Sequence, residues 1–133
     1  MMIHRRLFVS LAGLVSFAPL LARADNKKKG GGLTYIQLQP LIVTIIRADG
    51  RRGALTVETG VDVPGNPGLL ARANLSQPRL HAAYLLVLQT YASGLGPGGV
   101  PDADYITRAL QHETDKVLGQ PGAKLLVGTI LAN

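Results

Sequence analysis

Chemistry needs side chains that can give, take or hold something, and this chain carries few. It has no cysteine, which removes thiol nucleophiles, Cys-ligated zinc and redox switching together. Its histidines are His4, His81 and His112. His81 and His112 fall in segments with helical periodicity, far apart in sequence, without the H-x-x-x-H or H-E-x-x-H spacing that lets imidazoles share a metal ion. His112 and Glu113 are neighbours, and neighbouring helical positions diverge by about 100°, so they do not chelate as a pair. Both histidines read as surface or boundary residues.

Nucleophilic catalysis asks for a hydroxyl beside a base that a third group orients. Ser76 precedes His81 by five positions, but no acid stands near to orient the imidazole, and Ser76 suits a helix N-cap. There is no G-x-S-x-G. The glycine-rich "GLGPGG" (residues 94–99) follows a helical stretch and not a strand, and no Lys-Ser or Lys-Thr comes after it, so it does not read as a phosphate cradle. Most of the eight acidic residues sit at turns and caps. The expectation is a protein without catalytic residues, cofactor or metal.

The N-terminal residues decide what the rest must do. Arg5 and Arg6 precede an apolar stretch over residues 7–21 that is interrupted by Ser10, Gly13, Ser16 and Pro19. A membrane-spanning helix needs about 20 mostly apolar residues, and this stretch is shorter and more dilute. It closes with "LARA", which places Ala22 and Ala24 at the small-residue positions of a cleavage site before Asp25. Residues 1–24 therefore read as a cleaved signal peptide and the protein as periplasmic. "RRLFV", with Arg5, Arg6 and Phe8, resembles the twin-arginine export signal, a receptor-read address and not an anchor. That route is favoured over the general secretory one, although His4 stands where Ser or Thr is common.

Removing the leader changes the electrostatics. The 133 residues less 24 leave 109, one small domain. The net charge of +6 rests on 14 Lys and Arg against 8 acids. Three arginines leave with the signal, and Lys27, Lys28 and Lys29 supply the whole remaining excess of three. Residues 25–32, with "KKKGGG", read as a flexible linker whose membrane contact is at most peripheral, through those lysines. Nucleic-acid binders cluster basic residues on one face among aromatics for stacking. Here the body has no Trp, and both phenylalanines lie in the leader, so nucleic acid is not an expected partner.

The elements follow from periodicity. "LTYIQLQPLIVTIIR" alternates, but its apolar positions switch from even (Ile36, Leu38) to odd (Leu41, Val43, Ile45) across Pro40. Proline donates nothing to a ladder and is tolerated at bulges, and a bulge reverses the facing of all that follows. A kink or bulge at Pro40 is therefore predicted. The Asp49-Gly50 pair predicts a hairpin turn. "ALTVETGVDV" should point Leu55, Val57, Val61 and Val63 inward and Thr56, Glu58 and Asp62 outward. "PGNPG" breaks the strand, and residues 69–73 suit a short helical turn.

Leu80, Tyr84, Val87, Leu88 and Tyr91 recur at helical spacing, with Ser76 as cap, Pro78 in the first turn and Gly94 as stop. A second helix starts at Pro101 and Asp102, buries Ile106, Ala109, Leu110 and Val117, and ends at Gly119. "AKLLVGTILAN" is apolar on both parities and reads as a buried strand rather than an edge. The order is β-β-α-α-β, an α+β domain over residues 33–133: an antiparallel hairpin plus a C-terminal strand in one sheet, with two helices packed on it.

"YIQLQPLIVTIIRADGRRGALTVETGVDV", with an apolar helix, an acidic-start helix and "KLLVGTILAN" after it, resembles the periplasmic domain of the flagellar basal-body-associated FliL family. Tyr35, Leu38, Pro40, Val43, Asp49, Gly50, Leu55, Val57 and Asn133 carry the likeness. The resemblance implies a fold related to the stomatin and prohibitin core domain, and a protein partner in the cell envelope or self-association. Members of that family keep a transmembrane helix where this chain has a leader. The expected function is thus a non-enzymatic exported scaffold module, linked to the flagellar basal body or another envelope complex. The alternative is a small periplasmic carrier that holds an apolar ligand between helix and sheet.

Overall fold

The computed structural model describes residues 33–133, and its architecture is α+β: an antiparallel four-stranded sheet with three helices packed on one side. The strands are β1 (Tyr35–Gln37), β2 (Leu41–Ile46), β3 (Arg52–Asp62) and β4 (Lys124–Ala132). The helices α1 (Pro67–Leu75), α2 (Gln77–Ser93) and α3 (Ala103–Leu118) fill the connection between β3 and β4. The leader and linker, with Arg5, Arg6, Phe8, Ala22, Ala24, Asp25 and the three lysines, lie outside the described residues.

The strand β3 is the spine, because every other strand pairs with it. β1 and β2 run end to end along one of its edges and β4 along the other. Gln37 faces Gly60, whereas Leu41 faces Val57. The first strand thus spends four residue steps against three on β3, and the extra residue falls within 38–40. This one-residue offset is the parity switch at Pro40. It lets Ile36 and Leu38 share an inner face with Leu41, Val43 and Ile45, all buried. The hairpin turns at Asp49 and Gly50, with Gly50 at a φ of 84°, a conformation that only glycine adopts without strain.

On β3, Leu55, Val57, Val61 and Val63 are buried, while Glu58 is exposed and Thr56 and Asp62 are intermediate. Thr59 lies between the inward valines and is buried too, and its Oγ1 has no hydrogen-bond partner among the described residues. Such an orphaned hydroxyl costs about 1–3 kcal/mol.

Two features differ from the sequence reading. The expected helical turn at 69–73 is a nine-residue helix, so the described residues hold three helices and not two. Asn66 caps it by accepting from the Leu69 N–H at 3.0 Å, and Pro67 occupies the first turn, where its missing N–H is not needed. The second difference is β4, which is an edge strand and not a buried one. Among the described residues it pairs only with β3, and Leu126 and Leu131 on its outer side are 38% and 55% exposed. Val57 faces Ile130 while Thr59 faces Val127, so Gly128 and Thr129 together oppose Glu58 as a bulge. Apolar residues on both parities therefore mark a reversal of facing within one edge strand, not burial on both faces.

The helices close the core from one side, α2 over β2 and α3 over β4. Leu80, Tyr84, Leu88 and Ala92 of α2 are buried, as are Ile106, Leu110, Thr114 and Leu118 of α3. Both helices keep a strict four-residue spacing, which leaves Val87, Tyr91 and Val117 only partly buried. Asp102 caps α3 by accepting from the N–H groups of Asp104 and Tyr105 at 3.0 and 3.2 Å. At its other end Gly119 has a φ of 80°, and Arg72 and Arg79 donate to the carbonyls of Leu118 and Val117. Cations at a helix C-terminus meet its negative end.

Candidate functional site

The sequence-selected histidines do not converge on a centre. His112 is exposed on α3, and among the described residues no three His, Asp or Glu side chains cluster so as to hold a metal ion. His81 is half-buried near the start of α2, with Nε2 3.4 Å from the Pro40 carbonyl. It lines an open cleft of about 340 Å³ with Leu38, Gln39, Gln77 and Pro78. Ser76 sits at the α1–α2 junction and is buried, but its side chain makes no capping hydrogen bond; its backbone carbonyl receives the Leu80 N–H instead. The expected side-chain cap at Ser76 is therefore absent, because the chain enters α2 directly from α1.

One buried polar pair joins the helices. Thr114 donates to the Leu110 carbonyl at 2.8 Å, which uses its only proton. The Tyr84 hydroxyl, hydrogen-bonded to Thr114 Oγ1, must then be the donor in that contact. Burial pushes the Tyr84 phenol up to about 12, with the Thr114 contact pulling the other way and Asp115 and Glu113 adding to the rise. The pair is closed on itself and offers nothing to a substrate. It is a structural lock between α2 and α3.

The features that reach outward are the bare sheet face and the two sheet edges. The face opposite the helices carries exposed Ile42 (62%), Ile46 (40%), Leu126 and Leu131. Ile42, Thr56 and Leu131 stand in direct cross-strand register and form one uncharged row. Tyr35 lies over Gly60 on this face, where any Cβ would collide with its ring.

An unpaired sheet edge exposes N–H and C=O groups that can template further strands. On the β2 edge these groups are covered at Thr44 and at the Ile46 carbonyl, while those of Ile42, which the same alternation turns outward, have no partner among the described residues. Gln89 of α2 accepts from the Thr44 N–H at 3.2 Å and donates to the Thr44 carbonyl at 3.4 Å, and the Gly98 N–H donates to the Ile46 carbonyl at 2.9 Å. On the β4 edge Gln111 of α3 does the same at the strand's start. It accepts from the Leu125 N–H and donates to the Ala123 carbonyl, both at 2.8 Å.

Neither glutamine stands out in sequence, since a helical Gln reads as surface. Their signal is positional, each lying one residue after a buried core position of its helix. No family model matches this chain, and neither a curated protein nor a solved structure does.

Proposed function

We propose that this chain is a non-enzymatic, FliL-like docking module of the cell envelope, exported by a twin-arginine-type leader and working through its sheet. The observation that carries the reading is the exposed row of Ile42, Thr56 and Leu131 on a sheet face that none of the described helices covers. Large apolar side chains gathered on one face are a common mark of a protein-binding surface. The titratable residues, by contrast, are dispersed. The flagellar link rests on the sequence resemblance alone and is the part most directly open to experiment.

Fractionation with N-terminal sequencing tests the export half. The expected product starts at Asp25 in the periplasmic fraction, and replacing Arg5 and Arg6 by Lys blocks its appearance; an uncleaved, membrane-bound chain overturns it. A photo-cross-linking residue at Ile42, used in intact cells, tests docking. The expected adduct is with a basal-body or other envelope protein and is lost on Ile42→Lys. Native mass spectrometry of the exported protein separates the carrier alternative, because a co-purifying lipid supports a carrier and bare polypeptide masses support docking.

A further inference from the structure

The two edges of the sheet are managed differently, and the difference is informative. Along β2 partners recur at Pro40, faced by His81, at Thr44 and at the Ile46 carbonyl, so the bare stretch between them is one residue, Ile42. Along β4 it stops at Leu125. Asn133 and Ala54 exchange both backbone hydrogen bonds, 2.7 Å and 3.0 Å. Antiparallel alternation then turns the N–H and C=O groups of Leu131 toward β3, and those of Ile130 and Ala132 away from it. Among the described residues no group bonds to these outward positions, so residues 130–132 form a short open edge, beginning where the bulge at Gly128 and Thr129 ends.

We infer that this open edge pairs with the same edge of a second copy, antiparallel, about a two-fold axis at Leu131. In that register Ile130 and Ala132 of one copy exchange hydrogen bonds with Ala132 and Ile130 of the other, and no edge group of the segment is left over. Leu131 meets Leu131 as a non-hydrogen-bonded pair, the geometry in which opposing side chains stand closest. The uncharged row then runs unbroken from Ile42 through Thr56 and Leu131 into the second copy. On the inner face, Ile130 of the second copy lies opposite Ala132, at the mouth of a hollow of about 420 Å³ lined by Ile45, Ala48, Val100, Pro101 and Ala132.

Charge favours a second copy as the occupant. The segment 125–133 contains no ionisable side chain, and the two-fold keeps the Lys124 residues at opposite ends of the pair, so no like charges face each other. The contact is short, below the roughly 800 Å² per partner of a standard interface, and the dimer is accordingly weak and concentration-dependent.

The inference rests on the docking reading but not on the flagellar link. Because the chain has no cysteine, single substitutions report pairing without background. In the chain expressed in full and purified in its processed form, Leu131→Cys should give a disulfide-linked dimer under mild oxidation, since a non-hydrogen-bonded pair places the two Cα atoms about 4.5 Å apart, inside the disulfide range. Leu126→Cys and Ile42→Cys, at exposed positions on the same face, should stay monomeric. Sedimentation should show the wild type self-associating as concentration rises, and Leu131→Lys at least ten-fold weaker with an unchanged circular dichroism spectrum. A one-chain mass up to about 1 mM overturns the pairing, as does equal cross-linking from all three positions, self-association indifferent to Leu131→Lys, or an unrelated chain occupying the edge. A monomer that still cross-links an envelope protein through Ile42 removes only the pairing and leaves the docking reading standing.

Discussion

The Tyr84–Thr114 lock makes an asymmetric prediction, because its two hydroxyls are not equivalent. Tyr84 only donates, to Thr114, while Thr114 both accepts that proton and donates to the Leu110 carbonyl. Tyr84→Phe removes the terminal donor and strands nothing, since Thr114 keeps its bond to Leu110; the cost should be about 1 kcal/mol. Thr114→Val leaves the fully buried Tyr84 hydroxyl without an acceptor and should cost about 2–3 kcal/mol. Combining the two removes both groups, so the double variant should be more stable than Thr114→Val alone.

Alkali provides an independent arm of the same experiment. The folded phenol titrates near 12 against the ordinary 10.0, so the unfolded chain gives up its proton first. The stabilisation is intact below pH 10 and is lost as pH climbs toward 12, by about 1.4 kcal/mol at pH 11. Urea titrations of wild type and Tyr84→Phe at pH 8 and pH 11 isolate this part as a difference, because the other groups that titrate there are common to both. A Thr114→Val cost no greater than that of Tyr84→Phe, or an equal alkaline loss in wild type and Tyr84→Phe, would refute the proton assignment.

Three further substitutions test the fold's local rules. Thr59→Val replaces a core hydroxyl that lacks a partner by a methyl of similar volume, and should stabilise the domain by about 1 kcal/mol, seen as a Tm about 4–8 °C higher. Gly50→Ala meets open space but forces alanine to a φ of 84°, so thermal denaturation should show a loss of about 1–2 kcal/mol from backbone strain alone. Gly53→Ala is the opposite case: its φ is ordinary, but the new Cβ runs into the Asn133 carbonyl and the Arg47 stem. It should cost about 1–3 kcal/mol, and hydrogen exchange should show the amides of Leu131 and Asn133, which bond to β3, losing protection first.

Strand facing was readable wherever one face of the sheet stays dry. The switch from even to odd apolar positions at Pro40 survives as a one-residue offset between Gln37–Gly60 and Leu41–Val57, because a buried face punishes any other register. The same physics operates in β4, where Leu125 and Val127 face inward before the bulge and Ile130 after it. There the outer positions are leucines too, so the alternation has no polar partner to reveal it. Gly128 was the available clue, since glycine inside a strand pattern marks a bulge. Helix α1 reads shorter in the sequence than it is for a related reason. "PGNPG" reads as a breaker, yet Asn66 followed by Pro67 is also a helix start, a cap and a first-turn proline.

The surface that matters for docking was less legible, because it is made by side chains reaching across the fold. Gln89 and Thr44 are 45 residues apart, and Gln111 and Leu125 are 14 apart; no local pattern joins them. Each glutamine sits beside a buried leucine, Leu88 and Leu110, so its amide projects from the rim of the helix's apolar stripe and reaches the strand edge beneath. One primary amide can satisfy an outward N–H and a nearby carbonyl together, which an ionised carboxylate (acceptor only) or an ammonium (donor only) cannot do. Two glutamines thus close one edge at mid-strand and the other only at its start. The three residues beyond the β4 bulge are left with strong donors and acceptors and no polar side chain to blunt them. A sheet whose edges are managed with such economy at Thr44 and Leu125, and left bare at Ile130 and Ala132, presents that bare stretch to a strand from outside itself.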